Sequence, residues 1–368
     1  MEVNCSMLRV LFLSPDSHPK NSNKIKHLFT ISPTQPPDQS HHRHSYSETY
    51  ILRMGKHKMV GFLRRQGKTI TYTILSLLSI FGLLLLLKRS SPDSDIVIVL
   101  AANEGGGVQR WKTPQDWSVE RSSITNKKNY AKTHGYTLAI KDVSLKRRYS
   151  HEWREGWEKA DILKQTMRQY PNAKWFWWLD LHTFIMEPQI SLEDYLLDNV
   201  EKKVYRSLNH SNPLNLPEDI PYVDIESNPQ VDLVLAQDCG GFNLGSFFIR
   251  RSEWSDLLLD LWWDPAMYEQ KHMEWEHKEQ DCLESLYSTQ PWIRDRVGFV
   301  PLRAINSFPP GACSDQADDT QFFYDEKDRD FVVNMAGCNF GDRSCWDEYE
   351  HYRDLEKKLH ETKWFQFW

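Results

Sequence analysis

Hydrophobic and polar positions divide the chain into a polar tail, an apolar segment and a long mixed body. Residues 1–53 are rich in Ser, Pro, His and Asn and show no periodicity, and a basic stretch follows them, so residues 1–68 are predicted to be a disordered basic tail. Residues 69–87 carry no charge and end in a run of leucines. At about 1.5 Å per residue this segment spans roughly 28 Å, so it predicts a transmembrane signal anchor rather than a buried core helix. Residues 88–94 follow as a short stem, and residues 95–368 form the predicted domain.

Predicted strands and helices alternate along the body. Runs of mostly apolar, β-branched or aromatic residues predict strands at Ile96–Leu100, Tyr136–Ile140, Trp175–Leu179 and Phe247–Ile249. Segments that end at Gly or Pro signals predict helices at Ser122–His134, Trp157–Tyr170 and Trp254–Trp263. The alternation indicates an α/β layered domain, and the first, β-branched run is typical of a strand buried on both faces of a parallel sheet.

Basic residues flank the apolar segment unequally. Five precede it between Lys56 and Lys68, whereas Lys88 and Arg89 follow it. The larger cluster is expected to stay in the cytoplasm, which predicts a type II single-pass protein with its domain in the lumen. The compact basic stretch that begins at Met54 leaves two possible start codons, Met1 and Met54.

The body is acidic, although the tail is basic. The whole chain has a net charge of −6, and residues 1–68 hold eleven Lys/Arg and four Asp/Glu. The remainder therefore carries −13. Nucleic-acid binding depends on neutralising phosphates with basic residues, so this balance argues against a nucleic-acid partner.

Five cysteines are expected on the lumenal side, where the oxidising environment permits disulfides. They are Cys239, Cys282, Cys313, Cys338 and Cys345. Cys338 is close enough in sequence to pair with Cys345, and the alternative is that either pairs with Cys313. An odd number leaves at least one cysteine unpaired or bonded to another chain.

The sharpest candidate chemistry is Asp180-Leu181-His182, which follows the apolar strand 175–179. Residues i and i+2 of an extended chain point to the same side, so Asp180 and His182 could chelate one divalent ion. A carboxylate with an imidazole suits manganese better than magnesium. The alternative is a strand-end Asp that caps the next turn, with His182 in solvent. Asn103 begins a glycine-rich loop after the first strand, where α/β folds place nucleotides.

Four ordered blocks resemble one glycosyltransferase family. They are Trp177–Pro188, Gly240–Arg250 with its Asn-Leu-Gly-Ser-Phe-Phe-Ile-Arg, Glu279-Gln280-Asp281, and Val333–Cys338. The family groups fungal Golgi α-galactosyltransferases, plant xyloglucan xylosyltransferases and the α-1,6-mannosyltransferase subunits of fungal mannan polymerase. The resemblance covers roughly residues 95–350 and is closest to the mannan polymerase branch.

The resemblance implies a GT-A fold and a Golgi enzyme that transfers a sugar with retention of configuration. The mannan branch uses GDP-mannose to build α-1,6-linked mannan on N-glycans, in a complex with other mannosyltransferase subunits. The implied Mn²⁺ ligands are Asp180, His182 and Asn334. Most relatives carry a second Asp at position 182 and a His at position 334, so metal affinity is expected to fall or its selectivity to shift.

The same resemblance implies roles for the other candidate residues. Those expected at the donor are Asn103, Lys159, Gly245, Ser246 and Gly337, and those expected to orient the sugar and the acceptor hydroxyl are Glu279, Gln280 and Asp281. On residue type alone, Lys159 is equally well a solvated surface lysine. Two functional alternatives stay open: a structural subunit with little activity of its own, and a transferase that uses UDP-galactose.

Overall fold

A computed structural model describes eight stretches of the chain: residues 71–79, 94–102, 112–142, 157–216, 229–271, 273–275, 277–313 and 319–361. Contacts divide the chain into two compact units, residues 1–84 and 85–368. The predicted tail, residues 80–93 of the predicted anchor and stem, Asn103 and the last seven residues lie outside the described residues.

The described part of the first unit is one helix, α1, over residues 71–79. Its apolar side chains are exposed: Tyr72, Ile74, Leu75, Leu77 and Leu78. Among the helices that the structure describes, none has both the length and the apolar character needed to cross a membrane. Because residues 80–87 are outside the described stretches, the transmembrane anchor stays a prediction.

The second unit is built on a six-stranded mixed sheet. Its strands are β1 (Ile96–Ala102), β2 (Thr137–Asp142), β3 (Trp175–Leu179), β5 (Leu233–Asp238), β6 (Gly241–Arg250) and β7 (Val297–Val300), in the order β2-β1-β3-β6-β5-β7. Strand β6 pairs antiparallel with both neighbours, and the other pairs are parallel. Strand β1 is buried throughout between two parallel neighbours, as its β-branched run predicts.

Helices cover both faces of the sheet, which confirms the predicted α/β class. They are α2 (Pro114–His134), α3 (Glu158–Gln169), α4 (Val200–Lys203), α5 (Glu253–Trp262), α6 (Pro265–Lys271), α7 (Glu279–Thr289), α8 (Pro291–Arg294), α9 (Leu302–Ile305) and α10 (Cys345–His360). Successive residues of β3 pack on opposite faces of the sheet. Trp178 lies in the core with residues of α3, α5 and α7, and Trp177 lies in the core with residues of α2.

One helix and one strand begin earlier in the chain than the sequence predicts. Helix α2 begins at Pro114 rather than Ser122, because Thr113 and Asp116 form a capping box and Pro114 occupies the first turn. Strand β6 begins at Gly241 rather than Phe247. The predicted end of α2 is confirmed, since Gly135 adopts φ 74° at its C-terminal cap.

A two-stranded sheet extends the domain beside the end of β3. It pairs β4 (Thr183–Ile185) antiparallel with β8 (Val332–Asn334), and α10 packs against it through buried Tyr349 and Tyr352. The chain passes from β3 to β4 through Asp180, Leu181 and His182. The candidate triplet is therefore a tight connection between two sheets rather than the continuation of one strand.

Two disulfides are present among the described residues. Cys338 pairs with Cys345, as one sequence alternative proposed, and Cys313 pairs with Cys239. The other alternative, Cys313 with Cys338 or Cys345, is therefore wrong. Cys282 is a free, buried thiol, and burial raises the pKa of this thiol to about 12.

Candidate active site

A cavity of about 640 Å³ opens at one edge of the six-stranded sheet. Ala101 of β1, Asp180 after β3, Asp238 of β5 and Asn243 of β6 all line it. The first three lie at the carboxyl ends of parallel strands and Asn243 near the amino end of the one reversed strand, so the topology brings them to one edge. The volume is in the range of sites for small ligands.

Lys159 lies at the centre of the charged part of this cavity. Its ammonium nitrogen is 3.2 Å from Asp180 Oδ2, 3.1 Å from Glu279 Oε1 and 3.0 Å from the carbonyl oxygen of Leu244. Its side chain is only 9% exposed. An ammonium has three protons, and here each faces an acceptor. The alternative of a solvated surface lysine is therefore wrong.

The carboxylate of Asp180 is fixed from several directions. Its Oδ1 accepts a 2.6 Å hydrogen bond from the Trp178 indole. Its backbone N–H donates to the carbonyl of Gly245 at 2.8 Å, and its own carbonyl accepts from the Thr183 hydroxyl at 2.7 Å. Trp178 therefore orients the carboxylate that faces the cavity.

Helix α2 supports this connection from below. The Ser123 hydroxyl donates to the carbonyl of Leu181 at 2.6 Å, and the Lys127 ammonium donates to Ser123 Oγ at 2.7 Å and to the carbonyl of Thr183. Lys127 is fully buried, and this burial lowers its pKa well below the ordinary lysine value. Neither Ser123 nor Lys127 was predicted from the sequence. The available signal was that these two polar residues lie four positions apart on one helix face.

Asp238 organises the turn that joins β5 to β6. Its Oδ1 accepts from the backbone N–H groups of Gly240 and Gly241 at 2.7 and 3.0 Å, and its Oδ2 accepts from Asn243 Nδ2 at 2.6 Å. Burial raises the pKa of Asp238 above its ordinary value. The Asn243 side-chain oxygen accepts in turn from the Gly245 N–H at 2.9 Å, so this network shapes the cavity wall.

Glu284 of α7 closes the same turn from the core side. Its Oε1 accepts from the Phe242 N–H at 2.7 Å. Gly241 has φ 134°, and a Cβ there would lie 2.3 Å from this oxygen, so only glycine fits. Burial, reinforced by the nearby charges of Asp281 and Asp238, raises the pKa of Glu284 to about 8.

The start of α7 forms the opposite wall. His277, Lys278, Glu279 and Gln280 line the cavity. Gln280 Oε1 accepts from the Leu244 N–H at 3.0 Å, which ties α7 to β6. Asp281 is not among the described residues that line the cavity; its Oδ2 accepts from the backbone N–H of His277 at 3.0 Å.

The three predicted metal ligands are not gathered in the cavity. Asp180 lines it, whereas His182 and Asn334 are not among the described residues that do. A ring nitrogen of His182 lies within 4.8 Å of the sulfurs of the Cys338–Cys345 disulfide. Burial lowers the pKa of His182, and sulfurs joined in a disulfide are not thiolate ligands.

The Asn334 side chain lies against Gly245. It is buried, and its Nδ2 lies 2.2 Å from the point where a Cβ on Gly245 would be. Since His182 and Asn334 are not among the described residues that line the cavity with Asp180, the side chains as arranged do not fit a preformed three-ligand manganese site.

Only some of the other residues that were predicted to bind the donor lie in the cavity. Gly337, with φ 66°, lines the cavity. Gly245 permits the close approach of Asn334 described above. Ser246 is buried, and its hydroxyl accepts a 3.0 Å hydrogen bond from the Trp177 indole on the far side of the sheet. Asn103 lies outside the described residues. The roles assigned from sequence stay predictions at each position.

Comparison with known proteins gives one family. The model of the galactosyl transferase GMA12/MNN10 family matches residues 92–346. The chain is 62% identical to the Saccharomyces cerevisiae protein named Probable alpha-1,6-mannosyltransferase MNN10, over 74% of this chain and 68% of that protein. It is 46% identical to an uncharacterized alpha-1,2-galactosyltransferase of Schizosaccharomyces pombe, over 79% and 86%.

A solved structure is also similar in part. It is that of a glycosyltransferase involved in the glycosylation of the major capsid of PBCV-1, at 14% identity and a TM-score of 0.45, over 72% of this chain and 100% of that one. The family match spans most of the described α/β unit, including every strand that contributes to the cavity. The chain accordingly belongs to the galactosyl transferase GMA12/MNN10 family and is a glycosyltransferase.

Proposed function

We propose that the protein is an α-1,6-mannosyltransferase with a GT-A fold that transfers mannose from GDP-mannose to a mannan chain on N-glycans. The observation that carries the proposal is the cavity in which Lys159, Asp180, Glu279 and Gln280 converge at the strand ends. The 62% identity to a relative named as an α-1,6-mannosyltransferase supports the choice of sugar and linkage.

The chemistry expected in this cavity is a retaining transfer. The bond between the mannose anomeric carbon and the donor phosphate oxygen breaks, and its electron pair stays on that oxygen. The acceptor hydroxyl forms the new bond to the same carbon, and its proton passes to the leaving phosphate. Glu279 and Gln280 are placed to orient the reacting sugar, since both line the cavity beside Asp180.

The cellular setting is proposed from the sequence. The unequal basic flanks of residues 69–87 favour a type II Golgi membrane protein with the transferase unit in the lumen. The two disulfides agree with an oxidising lumen. Association with other mannosyltransferase subunits in a mannan polymerase complex belongs to the same proposal. Manganese dependence also belongs to it, with Asp180 as the one predicted ligand that lines the cavity.

One relative favours a second candidate donor. The 46% identity to a protein named as an α-1,2-galactosyltransferase supports galactose as the transferred sugar, with UDP-galactose as the candidate donor. The experiment offers GDP-mannose and UDP-galactose separately to the purified full-length protein, with an α-mannoside acceptor and with manganese or EDTA. Transfer from GDP-mannose, lost in Asp180→Asn, is the expected result, because Asp180 lines the cavity.

The other outcomes contradict parts of the proposal. Transfer from UDP-galactose alone assigns the galactosyl donor. Full activity of Asp180→Asn removes the cavity from the mechanism. Full activity in EDTA rejects manganese. Failure with both donors by a folded protein, followed by transfer when partner subunits are added, assigns a supporting role in a complex.

A further inference from the structure

A second lysine in the cavity is chemically different from Lys159. Among the residues that the structure describes, Lys159 and Lys278 are the lysines that line the cavity. Lys278 is half-buried, and its ammonium has no ion-pair or hydrogen-bond partner among the described residues. Its three N–H donors are therefore available to a ligand.

Lys159 has no such capacity. Its ammonium is already held by the carboxylates of Asp180 and Glu279 and by a backbone carbonyl. This group of three ionised side chains has a formal charge of −1. A donor diphosphate meets net negative charge there unless another cation is present.

The backbone at Lys278 is held in an unfavourable conformation. Its φ of 54° and ψ of −108° correspond to a position in a type II′ turn that glycine usually occupies. Hydrogen bonds fix both sides of it: the Gln280 N–H donates to the His277 carbonyl at 3.0 Å, and the Trp262 indole donates to the Glu279 carbonyl at 2.8 Å. A residue other than glycine is strained in such a conformation.

We propose that Lys278 is the cation that binds the diphosphate of the nucleotide sugar and remains on the nucleoside diphosphate as it leaves. The inference rests on the proposed glycosyl transfer and adds the residue that recognises its leaving group. Three features carry it: the place of Lys278 in the cavity, its free ammonium, and the neutralisation of Lys159 by its own neighbours.

The strain adds a signature that a surface lysine lacks. Glycine at position 278 removes the conformational cost and also removes the cation. If the lysine is retained for ligand binding, Lys278→Gly is expected to stabilise the ligand-free protein and to weaken diphosphate binding. Residues other than glycine that are held in such strained conformations cluster at ligand-binding and catalytic sites.

The experiment measures equilibrium binding by calorimetry with the full-length protein in detergent. The probes are GDP, UDP, inorganic pyrophosphate and guanosine, and the proteins are the wild type, Lys278→Ala, Lys278→Arg and Lys278→Gly. Lys202→Ala, which removes an exposed lysine of α4 outside the cavity, is the matched control. Thermal unfolding without ligand is measured on each protein.

The expected result is a loss of about 10- to 100-fold in affinity for GDP and pyrophosphate in the Ala and Gly variants, the size of a lost charge-assisted hydrogen bond. Lys278→Arg keeps most of the affinity, guanosine binding is unchanged, and the control behaves as wild type. Lys278→Gly unfolds at a higher temperature than wild type.

Unchanged GDP or pyrophosphate affinity in Lys278→Ala overturns the inference, as does equal weakening by Lys202→Ala. If pyrophosphate and UDP bind but GDP does not, only the proposed donor is contradicted. The affinities of the Lys278 variants for pyrophosphate then decide the inference. A wild type that binds none of the phosphate probes overturns both.

Discussion

The ammonium of Lys159 lies 3.1 Å from Glu279, so one ion pair joins α3 to α7 across the floor of the cavity. Both side chains are about nine-tenths buried. Removing one partner of such a pair leaves an uncompensated charge, which costs more than the pair itself contributes.

The first prediction tests this ion pair. Lys159→Met is expected to lower the free energy of unfolding by about 3 kcal/mol, because it leaves Asp180 and Glu279 without their cation. Urea unfolding measures the change. The double variant Lys159→Met/Glu279→Gln is expected to recover part of the loss, and strict additivity of the two changes would contradict the pairing.

The second prediction separates two adjacent tryptophans. Trp178→Phe removes the hydrogen bond to Asp180, and Trp177→Phe removes the one to Ser246. Both lose similar ring volume in the core, so a similar decrease in Tm is expected. Only Trp178→Phe is expected to lose about tenfold or more in kcat, the size of one charge-assisted hydrogen bond. Equal kcat values would show that the indole does not orient the carboxylate.

The third prediction concerns Glu284 and pH. Burial raises its folded-state pKa to about 8, so the folded protein binds a proton that the unfolded chain releases near pH 4.5. This contribution to stability is complete below the unfolded pKa and is lost as pH rises through about 8.

Glu284→Gln is the matched variant, since an amide keeps the acceptor for the Phe242 N–H and cannot ionise. Thermal unfolding from pH 4 to pH 9 is expected to show that the variant gains Tm relative to wild type as pH rises, by several degrees at the upper end. A difference that stays constant across this range would place the Glu284 pKa at its ordinary value.

The fourth prediction tests the close approach at Gly245. A methyl group there meets Asn334 Nδ2 at 2.2 Å and Asn243 Oδ1 at 3.1 Å. Gly245→Ala is therefore expected to destabilise the protein by about 1–3 kcal/mol and to reduce transfer. Gly240→Ala is the comparison for stability, because its nearest contact is 3.5 Å and it needs little displacement. Equal Tm values for the two variants would mean that Asn334 moves aside freely.

Much of the sheet could be predicted from local pattern. Strand β3 has the predicted bounds, and β1 is buried between parallel strands as its β-branched run indicated. The reversed direction of β6 was not predictable, because strand direction depends on pairing with residues far away in sequence. The early start of α2 was missed because its first turns are polar and partly exposed.

The sequence predicted many residues of the candidate site but not the contacts between them. Asp180, Glu279, Gln280, Lys159 and Gly337 were all named from sequence, and all line the cavity. The pairing that neutralises Lys159 could not be inferred, since it joins residues from three separate elements. His182 was placed beside Asp180 by strand geometry, and the structure has a turn at that point instead.

The bond between Cys239 and Cys313 has a consequence for how the enzyme becomes competent. Cys239 and Ala312, the residue before Cys313, both line the cavity, so one covalent bond joins two lining segments that are 74 residues apart in sequence. A chain made in a reducing cytosol is expected to build the sheet yet leave these two segments unjoined. Production in a secretory host, or oxidative refolding, is then a condition for a faithful activity assay.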